Sequence, residues 1–420
     1  MPSILTDARP LRPLPEKISP ALPKRVLYSI SARIGGSGLD SDSFETLRGL
    51  SEHQILGRAF AYDNRQAELP APLISSLRWH PVRLLSFVGS KHYYGAKKHY
   101  LDWMTARAIR REPFDLFHSW AGDCRRTLRA AKELGIPTIL EIPTWHRDKG
   151  KIKPRITTKE RTAEKSSWKE RLLISRQHTL EEYDLADLIL VLSEKAKETF
   201  LIAGHPESKL FLLPRGTDTE RFHPGTPPPI FRAVFAGALI KRKGVHTLLE
   251  AWNRLALPQA ELVLLGTVHH EIKPYLEKFA TPNVRIEGFV KRPEDYFRES
   301  TVHIFPSTCE GSAKVTFDAA ACGLPQISTR ESGDAVVHEE TGLIIPCDNV
   351  EALCAAILRL HADPALRQRM GVAARQRMLD HFTWDHYRTR LLEAYRLAFA
   401  SRPTSSPFAP STPSRPGMCA

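Results

Sequence analysis

The alternation of short apolar runs with helix-length amphipathic stretches is the feature that most narrows what this chain can fold into. In the first half the runs are RVLYSIS (25–31), DLFHSW (115–120), TILEIP (138–143), LILVLS (188–193) and LFLLPRG (210–216). In the second half they are RAVFAGAL (232–239), ELVLLG (261–266), VRIEGFV (284–290), VHIFPS (302–307), QIST (326–329) and GLIIP (342–346). They are close to continuously apolar, as strands of a parallel sheet covered on both faces must be. Helical stretches between such strands make βαβ units, so the fold class is α/β. The Pro-rich break HPGTPPPI (223–230) divides the two series near the midpoint, and 420 residues exceed one ordinary core. The sequence therefore predicts two doubly wound, Rossmann-like domains, at 24–222 and 231–383, joined by a linker at 223–230. The helix near 384–400 is expected to pack back on the first domain. The Pro-rich lead-in 1–23 and the tail 401–420 read as disordered. Such sheets bind ligands outside the carboxyl ends of their strands, which points to the cleft between the domains.

The six cysteines are scattered, without a C-x-x-C pair. That argues for reduced thiols in a cytoplasmic setting and against a disulfide frame or a zinc site. The longest apolar runs fall far short of the roughly 20 residues of a membrane span, and the N-terminus has no secretory pattern. Of the net charge of +13, +10 lies in residues 1–225. A basic half of this kind attracts nucleic acid, anionic lipid headgroups or an anionic substrate. With no helix-turn-helix, zinc-finger or RNA-binding signature beside it, nucleic acid is not expected as a partner.

Four stretches carry candidate chemistry. In GALIKRKGVHTLLEAW (237–252) a strand ends at Gly237 and a helix opens at Gly244, which puts Arg242 and Lys243 just before a helix N-terminus. Two cations beside free N–H groups suit a diphosphate, although a solvated basic turn has the same pattern. In EGSAKVTFDAAACGLP (310–325) Glu310 lies in the turn after a strand, and Ser312, Ala313 and Lys314 are expected to form the first helical turn. Eight helical residues at about 1.5 Å each span roughly 12 Å and set Glu310 and Asp318 on one side of the helix. That length matches the distance from a sugar hydroxyl to a ribose hydroxyl in a nucleotide-diphosphate sugar. In SARIGGSGLDSD (31–42), Gly35, Gly36 and Gly38 allow close backbone approach to a phosphate, outside the dinucleotide and P-loop spacings. In TILEIPTWHRDKGK (138–151), His146 follows a strand end on the cleft side, with His118 on the preceding strand as a competing candidate.

In this order the motifs resemble glycosyltransferase family 4, retaining enzymes of the two-domain GT-B fold. The resemblance runs from about residue 25 to 400. Its acid-x7-acid element stands as PSTCEGSAKVTFDAAACGLP (306–325), its Lys-Gly phosphate turn as KRKG, and the segment joining its domains as LPRGTDTERFHP (213–224). The resemblance implies that Glu310 binds donor-sugar hydroxyls and that Asp318 holds the ribose where the family normally has Glu. Arg242 and Lys243 would neutralise the diphosphate, with Gly237 beside them and help from the amides of Gly311, Ser312, Ala313, Lys314 and Val315. Gly36 would approach the phosphates from the first domain, and His146 would contact the sugar near the reacting carbon. The family's usual Arg after the strand glycine is Ala238 here, so Arg242 is expected to serve as the second cation. The donor implied is a UDP- or GDP-sugar, and no metal or other cofactor is expected.

The implied function is transfer of a sugar to a hydroxyl on a glycan or lipid-linked acceptor, in surface polysaccharide, lipopolysaccharide or glycolipid synthesis. The basic run 148–171 leaves open an anionic acceptor or membrane surface, and with it a peripheral place on the membrane's inner face. A nucleotide-sugar epimerase of the same fold and a non-catalytic nucleotide-sugar-binding relative are the alternatives.

Overall fold

The computed structural model describes residues 21–36, 39–77, 80–88, 90–148, 176–226 and 228–400. The readings for residues 1–20, Gly38, the basic run beyond Asp148 and the tail 401–420 lie outside the described residues.

The first sheet holds β1 (Val26–Ile34), β2 (Leu56–Asn64), β3 (Ile74–Ser76), β4 (Leu116–Trp120), β5 (Thr138–Ile142), β6 (Leu188–Val191) and β7 (Leu210–Leu212). Its order is β3-β2-β1-β4-β5-β6-β7, with every pairing parallel. The helices between them are α1 (Leu39–Glu52), α2 (Ser90–Ile109), α3 (Arg125–Glu133), α4 (Arg176–Leu185) and α5 (Glu194–Ile202). The second sheet holds β8 (Phe231–Ala236), β9 (Ala260–Leu265), β10 (Val284–Gly288), β11 (Val302–Phe305), β12 (Gln326–Ser328) and β13 (Gly342–Ile344). It runs β10-β9-β8-β11-β12-β13, again all parallel. With it come α6 (Val245–Leu255), α7 (Lys273–Phe279), α8 (Pro293–Arg298), α9 (Lys314–Ala321), α10 (Val350–Ala362) and α11 (Pro364–His381). The last element among the described residues is α12 (Trp384–Ala400).

The apolar runs are continuous where both faces of a sheet are covered; the edge strand β10, with Arg285 and Ile286 exposed, is the exception. Along β5 and β6, Ile139, Leu188 and Leu190 enter one core while Leu140, Ile142, Ile189 and Val191 enter another. Successive side chains of a strand point to opposite faces, and here neither face meets water. Two strands escaped the sequence reading. In β2, Gly57 and Arg58 interrupt the apolar pattern, because a Cβ at Gly57 would overlap Arg25 and Arg58 hydrogen-bonds Ser75 and Glu112. The three-residue edge strand β3 ends in two serines and has no pattern to read.

Helix α12 packs on the first sheet. Tyr387, Leu391, Leu392, Ala394, Tyr395 and Ala398 share a core with Val26, Tyr28 and Ile139. The Tyr387 hydroxyl lies 2.8 Å from that of Thr46 on α1, and Arg388 pairs with Glu45. The strand order reverses between β1 and β4 in one sheet and between β8 and β11 in the other. These are the switch points at which doubly wound sheets open a crevice, and each motif loop singled out above leaves β1, β5, β8 or β11.

Candidate active site

At the end of β8 the chain turns at Gly237, whose φ of +145° suits glycine; a Cβ there would lie 3.1 Å from the Lys243 ammonium. Lys241–Lys243 form a short 3-10 turn closed by Gly244 at φ +71°, which also opens α6. A side chain on Gly244 would overlap the Pro306 carbonyl oxygen, so the cationic turn lies directly against the exit of β11. The Arg242 carbonyl fastens the two loops, accepting from the Thr308 amide at 2.8 Å, the Thr308 hydroxyl at 3.0 Å and the Ser307 hydroxyl at 3.1 Å.

Glu310 meets both cations. Its carboxylate accepts from Arg242 at 2.8 Å and from the Ser307 hydroxyl at 3.2 Å, and lies 3.5 Å from the Lys243 ammonium. Burial pulls the Lys243 pKa down and Glu310 opposes that shift. Arg242 also donates to the Cys309 carbonyl, and its side chain stays 45% exposed at the rim.

The turn after β11 differs from the expected first helical turn. Helix α9 begins at Lys314 with Ala313 as its cap, so Glu310, Gly311 and Ser312 precede it as loop. The 12 Å helical spacing between Glu310 and Asp318 therefore does not hold. The amide cradle over 311–315 is also narrower, because the Ala313 amide donates to the Ser332 carbonyl at 2.8 Å. Lys314 and Val315 stand in the first turn of α9, where N–H groups have no acceptor within the helix. The Ser312 hydroxyl is buried without a hydrogen-bond partner. Asp318 is 8% exposed and accepts from Lys314 at 2.6 Å and from the Thr217 hydroxyl at 2.7 Å.

From the first domain, the loop after β5 reaches Gly311, where a Cβ would overlap the Pro143 carbonyl. Ser193 caps α5 and donates to the Gly311 carbonyl at 2.6 Å, and the Glu194 amide donates to Asp334 at 2.8 Å. His146 lies just beyond that loop but turns inward. Its ring is 4.9 Å from Phe200 and 5.1 Å from Tyr183, 5% exposed, and its Nδ1 accepts from the Asp148 amide at 3.2 Å. His118 is fully buried, bonded to the Tyr395 hydroxyl at 2.8 Å, with burial pushing its pKa down to about 3. Gly36 faces Asp40, whose carboxylate would lie 3.0 Å from a Cβ there, so that loop presents an acid as well as backbone.

The structure thus brings Gly237, Arg242, Lys243, Glu310, Gly311 and the start of α9 together, while the Asp318 carboxylate is taken up by Lys314 and Thr217 and His146 sits in an aromatic pocket. Sequence reasoning missed Arg215, Thr217 and Ser193 at the junction. Arg215 and Thr217 stood inside LPRGTD, which was read only as a connecting segment. Among the described residues no group of three or more His, Cys, Asp or Glu is placed to hold a metal ion.

Residues 52–221 match the model for Glycosyltransferase Family 4, and residues 231–363 match that for Glycosyl transferases group 1. The chain belongs to glycosyltransferase family 4. It is similar to the Staphylococcus aureus capsular polysaccharide biosynthesis glycosyltransferase CapM, with 29% identity over 36% of this chain and 41% of that one. It is also similar to a GDP-mannose-dependent phosphatidylinositol monomannoside mannosyltransferase of Mycolicibacterium smegmatis, with 28% identity over 50% of this chain and 62% of that one. The chain thus spans about half the length of the curated relatives it matches. Among solved structures, sucrose-phosphate synthase from Thermosynechococcus elongatus superposes with a TM-score of 0.66 at 20% identity, over 90% of this chain and 99% of that one. Anabaena HepE in complex with UDP-glucose superposes at 0.59 and 15%, over 88% and 98%. This family 4 chain therefore has the GT-B fold, with two parallel-sheet α/β domains.

Proposed function

We propose that this chain is a retaining glycosyltransferase that moves a sugar from a UDP- or GDP-sugar to a hydroxyl of a glycan or lipid-linked acceptor. The observation that carries the reading is Lys243 and Arg242 gathered on Glu310 beside the start of α9, at a switch point facing the first domain. The C1–O bond to the diphosphate breaks, so negative charge grows on the leaving phosphate and positive charge on the sugar ring. Lys243, Arg242 and the first-turn amides of α9 stabilise that negative charge where it develops. The donor takes over the cations and leaves Glu310 to accept hydrogen bonds from sugar hydroxyls. The departing phosphate oxygen accepts the acceptor's proton, so the chemistry proceeds without a protein base. His146, with Nδ1 occupied, stiffens the loop that carries Pro143 to Gly311, and Asp318 borders the ribose.

HepE, similar in fold, was solved with UDP-glucose, and CapM is named for capsular polysaccharide synthesis; both support the donor class and the acceptor class. The deciding experiment screens UDP-, GDP-, ADP- and dTDP-sugars for thermal stabilisation, then follows anomeric configuration by NMR with an acceptor panel. Transfer with inversion overturns the retaining assignment. A changed free sugar formed without acceptor points to an epimerase, and binding without any turnover to a non-catalytic relative.

The acceptor side faces an anionic membrane surface in this reading. The short helix 81–88, which packs on α2, leaves Leu84 80% and Phe87 75% exposed. Trp103, Arg107, Arg110 and Arg111 stand exposed on and after α2. Exposed apolar side chains with exposed arginines on the neighbouring helix, Arg107 over the Trp103 ring among them, suit an interface with acidic lipids. Among the described residues no helix is long and apolar enough to cross a membrane. Salt-sensitive sedimentation with anionic vesicles, lost in Leu84→Glu/Phe87→Glu, is the expected result; binding indifferent to salt counts against it.

A further inference from the structure

Arg242 meets only part of the need for a second cation. Its guanidinium is shared between Glu310 and the Cys309 carbonyl at the rim, and Ala238, directly after Gly237, brings no charge. A diphosphate lodged between Lys243 and the start of α9 lies deeper than that rim.

At that depth stands Arg215, in the loop leaving β7. Its side chain is only 9% exposed and its NH2 lies 3.2 Å from Asp42 in the first turn of α1. Its Nε–H is buried with no hydrogen-bond partner. A guanidinium has five N–H donors in a planar fork, and leaving one unmatched in the interior is costly. Position ties the residue to the donor site. Two residues on, the Thr217 hydroxyl donates to Asp318 of α9, so the loop carrying Arg215 runs along that helix. Arg215 is near enough to Lys243 that its charge helps lower the Lys243 pKa, and Lys314 and Asp318 act in turn on Asp42. The pair Arg215–Asp42 therefore lies between the first turn of α1 in one domain and Lys243 and Lys314 in the other. Its other acidic neighbour, Glu141, is pushed up to about 8 by burial and is mostly protonated at neutral pH, so Asp42 is the counter-ion that holds the guanidinium.

We propose that Arg215 is the deep cation for the donor's diphosphate, oriented by Asp42 so that its unmatched edge takes a phosphate oxygen. This rests on the reading of the cleft as a nucleotide-sugar site. It assigns a phosphate-binding role to the interdomain loop, and it makes donor binding depend on residues from both domains being in register.

The test is calorimetric titration of the full chain with the nucleoside diphosphate that stabilises the wild type in the donor screen, and with its monophosphate. One charge-assisted contact corresponds to about tenfold in affinity. Arg215→Gln is expected to weaken diphosphate binding about tenfold or more and monophosphate binding by less than about threefold. Arg215→Lys is expected to fall between, and it keeps the test decisive if the Gln variant fails to fold. Asp42→Asn, which removes the pair but leaves the cation, is expected to keep the preference for diphosphate. If Arg215 is only a strut, its variants lower stability as Asp42→Asn does and leave the diphosphate-to-monophosphate ratio unchanged, which overturns the proposal. A wild type that binds no nucleoside diphosphate at all removes the nucleotide-sugar reading itself, and this assignment with it.

Discussion

The Thr217 hydroxyl and the Lys314 ammonium both donate to the same oxygen of Asp318, Oδ1, at 2.7 and 2.6 Å. One bond crosses from the interdomain loop and the other runs along α9, so a short carboxylate in this position serves as a clasp. Glutamate, one methylene longer, would carry its carboxylate past Thr217. Asp318→Ala leaves a buried hydroxyl and a mostly buried ammonium without their acceptor, an expected loss of about 1–3 kcal/mol in urea unfolding. Asp318→Glu is expected to lose the Thr217 bond while reaching further toward the ribose. Tighter nucleoside binding together with lower stability is its signature, and unchanged values on both counts would refute the clasp.

Lys243→Ala removes the cation best placed for the developing phosphate charge. Loss of one preorganised donor of this kind costs on the order of 10²–10³ in rate. Steady-state assays should show that loss in kcat/KM for the donor, with the acceptor KM little changed. Transfer at near wild-type rate with unaltered donor affinity would show that the diphosphate lies elsewhere.

Two glycines make separable predictions. Gly244→Ala combines positive φ with a clash against the Pro306 carbonyl inside one domain, so unfolding stability is expected to fall by at least about 1–3 kcal/mol. Gly311→Ala clashes with Pro143 across the cleft, where either domain can move aside. It is expected to enlarge the radius of gyration in small-angle scattering and to lower activity, with less change in melting temperature. A large stability loss with unaltered dimensions would place that contact inside a single packed body.

Stability should fall as pH rises from about 6.5 to 8. Glu141 and Glu182 are each raised by burial to about 8, so across this window the native state holds protons that the unfolded chain has already released. By linkage the free energy of unfolding then decreases with pH, by up to about 1.4 kcal/mol per unit for each group. His118 and His303, held neutral with values lowered to about 3 and 4, bear on the curve only below about pH 6.5, where their protonation favours the unfolded chain. Glu141→Gln is expected to flatten the descent above pH 6.5 in urea unfolding. A slope identical to wild type would mean that Glu141 is ionised in the folded protein.

The sequence made the parallel sheets legible because burial on both faces leaves a nearly unbroken apolar signature, which the inner strands β8, β9 and β11 of the second sheet carry while the edge strand β10 keeps Arg285 and Ile286 exposed. It failed at β2, where an arginine and a glycine answer to neighbours distant in sequence. The cationic turn and Glu310 were readable from motif order and glycine punctuation. The buried orientation of His146 was not, because it depends on Tyr183 and Phe200 arriving from α4 and α5. Arg215 was hidden for the same reason: its partner, Asp42, lies in α1, far upstream in the chain.

Helix α12 carries a consequence for how the molecule is made. The core of the first domain is completed by Tyr387, Leu391 and Tyr395, residues that follow the entire second domain in the chain. During synthesis the strands of the first domain must wait for a helix encoded after the second domain, while the second domain, with its sheet encoded between them, can close on its own. The second domain is in effect an insertion within the first, and the side of β1 that faces α12 is sealed from water only after the second domain has been made.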